Sequence, residues 1–141
     1  MNNKNLTEVY KKIENDNISV FPFTITNYKA ATIEQDGKYG IFIDKSKIEN
    51  SNQEFEILAL EYGHCKSGAT HKLYSPHDLI EKHEYMADRT AILEFLPFEK
   101  LQDAFNNGCQ LIWQIAEFLS LPDSFIEKAV QVYQRMEYIT I

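Results

Sequence analysis

The change of apolar period near residue 50 constrains this chain more than any other feature. Before it, after one short helical stretch near the start, short apolar runs alternate with a period of two. After it, apolar residues recur three and four apart to the end. A chain of that kind segregates strands from helices and buries one sheet face beneath the helices, which is an α+β architecture. Its 141 residues suit one domain around one core.

Leu6, Val9, Tyr10 and Ile13 predict a first helix over 5–16. Residues 18–23 read as a strand that Pro22 would either put at an edge or end early. Two β-prone runs, 28–35 and 38–44, flank Asp36-Gly37, a pair that can turn tightly because both residues reach positive φ. The region from about 18 to 44 is thus expected as a small antiparallel sheet behind one helix.

Ser51-Asn52-Gln53-Glu54 carries the capping-box pattern. The helix it opens would pass Ile57, Leu58 and His64 and close at Gly68. Ser75-Pro76-His77-Asp78 opens a second helix that stops near Leu96-Pro97. Three shorter helices are expected over 98–107, 110–119 and 122 to about 137, making 98–141 a C-terminal helical subdomain. There Trp113, Ile115, Phe118, Leu119, Phe125, Ile126, Val130 and Tyr133 read as packing residues.

Composition excludes several classes. No apolar run approaches the roughly 20 residues that span a bilayer, so no membrane partner is expected. The start, Met1-Asn2-Asn3-Lys4-Asn5, is polar and unlike a signal peptide, and the reading is cytoplasmic. Cys65 and Cys109 fit reduced thiols there. A net charge of -7 repels phosphate, so no nucleic acid partner is expected. The segment from 122 onward, with Asp123, Glu127 and Glu137 against Lys128 and Arg135, lacks the basic face a DNA-reading helix needs.

The chemistry-bearing residues sit on the two long helices. A zinc-peptidase helix, HExxH, places His, Glu and His at its first, second and fifth positions. The two His reach the metal from one face, and the Glu takes a proton from water. The segment Leu60-Glu61-Tyr62-Gly63-His64 has the Glu and the second His, with Leu60 at the first position. On the next helix Glu84 and Asp88 share a face one turn apart. Taken singly, each of these residues fits a solvated helix face or, for His64, a bonded core histidine. Glycine inside a helix costs about 1 kcal/mol relative to alanine. Gly63 therefore implies close approach of a neighbouring backbone, as under an edge strand, or a plain packing contact.

The stretches Ile57-Leu58-Ala59-Leu60-Glu61-Tyr62-Gly63-His64, Lys66-Ser67-Gly68 and Glu81-Lys82-His83-Glu84-Tyr85-Met86-Ala87-Asp88 resemble the ImmA/IrrE family of metallopeptidases. The likeness continues through Ala91, Leu96-Pro97 and residues 112–118 and covers most of the chain. It is closest to the phage and integrative-element branch. The resemblance implies a single zincin-like domain over 1–141, with the sheet followed by a helical bundle. It implies zinc as cofactor, Glu61 as general base, His64 and Glu84 as metal ligands, and Asp88 as the carboxylate that orients a ligand His. That His would stand at position 60. The implied partner or substrate is a protein, a phage-type repressor or other helix-turn-helix regulator.

Leu60 leaves two functions open: a zinc-dependent endopeptidase with a replaced ligand, or a peptidase-fold protein that binds a regulator without cleaving it. Replacement ligands are His71, His77, His83 or water. His83 points about 100° away from Glu84. Cys65 faces a poor direction and reads as a small buried thiol. A substrate would lie extended along an edge strand, taken as 38–44, with Tyr74 or Tyr85 near the oxyanion.

Overall fold

The structure, a computed structural model, describes residues 3–68 and 77–139, with backbone alone at 77–79. Helix α1 (Lys4–Asn15) leads to strands β1 (Ser19–Pro22), β2 (Ala30–Gln35) and β3 (Lys38–Ile43). Helices α2 (Ser51–Ser67), α3 (His77–Phe95), α4 (Phe98–Asn106), α5 (Ile112–Leu119) and α6 (Asp123–Arg135) follow. The architecture is mixed α and β, with a small sheet preceding the main helices. Among the described residues no helix is long and apolar enough to cross a membrane.

The sheet corrects the antiparallel expectation. Its order is β1-β3-β2, with β2 antiparallel and β1 parallel to β3. The strands alternate in direction as in a meander, but their order in space is not their order in sequence. Two properties explain this. Ile41 and Ile43 are fully buried, so β3 takes the centre. Pro22 has no N–H to donate, which suits β1 to an edge. Because β3 is paired on both sides, it is not the free edge along which a peptide was expected. The edges are β1 and β2. The turn between β2 and β3 behaves as its sequence requires, with Asp36 at φ 55° and Gly37 at φ 77°.

The link from β1 to β2 must cross the end of β3, and Asp44 ties it down. Asp44 is 3% exposed. Its carboxylate accepts from the backbone N–H of Ile25 (3.1 Å), the N–H of Ser46 (3.2 Å) and the Ser46 hydroxyl (2.6 Å). Lys47 lies 3.5 Å away and also donates to the carbonyls of Ile25 and Tyr28. These bonds, led by the Ser46 hydroxyl, hold the Asp44 carboxyl below its ordinary range.

Helix α2 is central. Phe55, Leu58, Ala59, Tyr62, Gly63 and Cys65 are all buried along it, and it packs on α1, α3 and the sheet. Its cap lies one residue before the expected one. Asn50 accepts from the Gln53 N–H at 2.8 Å, and the Gln53 side chain accepts from the Glu49 N–H at 2.8 Å. Glu54 is drawn instead to the hydroxyl of Tyr10 on α1. A second bond joins the same helices, Tyr62 to Asp16 at 2.6 Å. Gly68 closes α2 at φ 66°. The start expected for α3 at Ser75-Pro76 lies outside the described residues. In the C-terminal helices Phe125, Ile126 and Tyr133 are fully buried as expected. Trp113 and Phe118 are not, being 54% and 44% exposed. The short helix α5 buries Ile115 and Ala116, and Trp113 and Phe118 lie outside that buried stripe.

Asp44 has a pH signature. Between its lowered folded pKa and the ordinary value of about 3.9, the unfolded chain binds more protons than the folded one. Its contribution is therefore complete above about pH 4 and is lost as pH falls through the folded value. Asp44→Asn is expected to flatten the acid limb of the urea midpoint plotted against pH. An unchanged limb would remove Asp44 from the account.

Candidate functional site

The two motif helices meet at Gly63. A β carbon built there would lie 2.1 Å from the Ala87 carbonyl oxygen and 3.2 Å from the Ala91 β carbon. The close neighbour is thus the backbone of α3, not an edge strand. This contact sets α2 against α3 and brings His64 opposite Glu84. Nε2 of His64 lies 3.5 Å from Oε2 of Glu84.

Glu61 faces the sheet. The inward positions of β2 follow from its register, in which Thr32 pairs with Ile41. The Thr32 hydroxyl donates to the Glu61 carboxylate. Burial raises the Glu61 carboxyl above its ordinary range. The Thr32 bond and the nearby His64 oppose that rise, and Glu84 adds to it. A partly buried glutamate held beside a histidine is placed to exchange a proton with it or with water.

Asp88 forms its ion pair with Lys128 of α6 at 3.5 Å, a residue 40 positions away in sequence. Burial raises the Asp88 carboxyl, and Lys128 opposes the rise. The charge that would orient a histidine at position 60 is thus met by a lysine from the C-terminal helices. Leu60 itself is partly buried against the apolar core and offers no donor atom.

The donors can be compared with what zinc requires. Two ligands, each about 2.0–2.1 Å from a tetrahedral zinc, stand roughly 3.3 Å apart. The 3.5 Å between His64 and Glu84 matches two corners of that arrangement. The set does not close around a metal. Among the described residues, no three His, Cys, Asp or Glu side chains converge as a metal-holding group. His71 and Tyr74 lie outside the described residues, and of His77 only the backbone is described. Tyr85 has its ring against Arg135, with the guanidinium 3.6 Å from the centroid. The Cys65 thiol is buried and pushed up to about 11, which leaves it inert near neutral pH.

Thr32 and Lys128 are the site residues that motif spacing did not reveal. The alternation of β2 around Asp36-Gly37 carried a signal for Thr32. Lys128 had none beyond being one of few cations on its helix. Compared with models of protein families, with curated proteins and with solved structures, the chain matches none.

Gly63→Ala reads out the helix contact with a diagnostic sign. In an isolated helix the change would stabilise by about 1 kcal/mol. Here the added methyl meets backbone, and a loss of about 3 kcal/mol is expected. A lower urea midpoint is the expected result, while a raised one would show that α2 and α3 do not touch at this point.

Proposed function

We propose that this chain keeps the scaffold of a zinc-dependent endopeptidase from a prophage or mobile element and uses it to hold a protein regulator without cutting it. The regulator is of the phage-repressor, helix-turn-helix type implied by the ImmA/IrrE resemblance. The observation that carries this reading is the pairing of Asp88 with Lys128, together with an apolar Leu60 packed against the core. The carboxylate that would serve a ligand histidine is already neutralised, and position 60 supplies packing surface. The net charge of -7 favours a partner with a basic face.

The second reading is a working zinc endopeptidase. It is favoured by the His64–Glu84 spacing and by the partly buried, Thr32-bonded Glu61. His64 and Glu84 would hold the metal, which would act as a Lewis acid toward a peptide carbonyl. Glu61 would hold and pass the proton. An extended substrate would then have the free edge of β2, next to Glu61, on which to lie.

Metal content separates the two. Untagged protein purified without chelators is expected to carry zinc well below one equivalent by elemental analysis. Leu60→His is expected to raise zinc affinity at least about tenfold, measured against a chromogenic chelator. Near-stoichiometric zinc in the unsubstituted chain would overturn the non-cutting reading. Unchanged affinity in Leu60→His would show that position 60 is not the vacant ligand position.

A further inference from the structure

Two clefts meet at the start of α2. One, of about 680 Å³, opens where α1, α2 and α6 begin, and Trp113, Glu117 and Asp123 line it. The other, of about 390 Å³, follows α2 past Gln53 and Ile57 to Leu60, with Lys29 and Pro122 on its walls. They share Asn50 and Asn52. Both volumes lie in the range of about 300–1,000 Å³ that ligand sites occupy.

The shared wall and the start of the second cleft are rich in donors. The side-chain oxygens of Asn50, Gln53 and Asn52 accept from the N–H of Gln53, the N–H of Glu49 and the Asn3 amide, at 2.8, 2.8 and 3.3 Å. Each amide is thereby oriented with its NH2 group turned away from that bond. Among the described residues these three NH2 groups donate to no protein group. A row of donors selects a row of acceptors, and the carbonyls of an extended polypeptide are such a row. From Asn50 to Leu60 the helix rises roughly 15 Å, the span of about four or five extended residues.

The two ends differ in chemistry. Trp113 is 54% exposed, with Glu117 one turn later on α5 and Asp123 at the start of α6. Lys4 lines the same cleft, yet neither carboxylate forms an ion pair among the described residues. An indole face beside two carboxylates selects a Lys or Arg side chain. At the other end Ile57 and Leu60 offer an aliphatic contact.

We propose that this double cleft is a docking groove for an extended segment of a basic partner protein. It takes a Lys or Arg side chain at Trp113 and an aliphatic side chain at Leu60. The proposal rests on the reading that this scaffold holds a partner polypeptide. It makes Leu60 a binding contact rather than only a lost ligand.

The test is to pan random linear heptapeptides on the folded chain, alongside a glycan array. Enriched peptides should carry a Lys or Arg together with a Leu, Ile or Val. They should bind Trp113→Ala about tenfold more weakly. Leu60→Ser should relax the aliphatic preference and leave the basic one. Trp113 is exposed, so an unchanged urea midpoint will verify that Trp113→Ala is folded. Failure of any peptide to enrich, an acidic consensus, equal binding to Trp113→Ala, or enrichment of glycans instead overturns the proposal. Peptides that shift the amide resonances of Thr32 and His64, but not those of Gln53 and Ile57, overturn the groove and leave the proposed function standing. Zinc near one equivalent overturns that function and leaves the groove standing.

Discussion

Gly63 and the Ala87 carbonyl touch where any side chain would force the helices apart. The remaining geometry of the centre follows from that approach. Helix α2 is buried along most of its length, so its position is set by the core and not by its polar face. Helix α3 is then fixed against it at the one residue that has no β carbon. His64 lies next to Gly63, and Glu84 and Asp88 flank Ala87 within one turn. The contact therefore determines which charged groups face each other. A spacing of a few ångströms between His64 and Glu84 is a consequence of backbone packing, with the side chains carried along.

Electrostatics then divide the cluster into two halves. Glu61, His64 and Glu84 interact on the sheet side, where Thr32 holds Glu61. Asp88 is turned to α6 and neutralised by Lys128. Burying a carboxylate is costly unless a partner is buried with it. A metal centre would spread that cost over a cation and its ligands. Here a lysine from the last helix meets part of it, and an apolar side chain stands at position 60. The C-terminal helices thus complete the electrostatics of the site as well as covering the core.

Local chemistry made much of this legible. The Asp36-Gly37 turn, the close of α2 at Gly68 and the break at Leu96-Pro97 all depend on residues within a few positions of one another. The shared face of Glu84 and Asp88 likewise follows from helical periodicity alone. Strand order was not legible, because it depends on which strand is most apolar on its inner face and which contains proline. The cap at Asn50 was hidden by an equally good pattern one residue later, and Tyr10 on another helix broke the tie by drawing Glu54 away. Trp113 and Phe118 looked like core residues because helical spacing marks a face without saying what covers it.

Apolar period, turn residues and caps depend on near neighbours, so the order of elements and the α+β division could be read directly from the chain. The pairings Thr32–Glu61 and Asp88–Lys128 join residues 29 and 40 positions apart. No local preference encodes them. They exist because packing at Gly63 and the central place of β3 bring distant segments together, and burial then requires each charge to find a partner. The motif on α2 and α3 was visible as a set of residue types. The setting of Leu60 against the core and the lysine-bound Asp88 acquire meaning only in three dimensions, where the neighbours of each side chain are chosen by the fold.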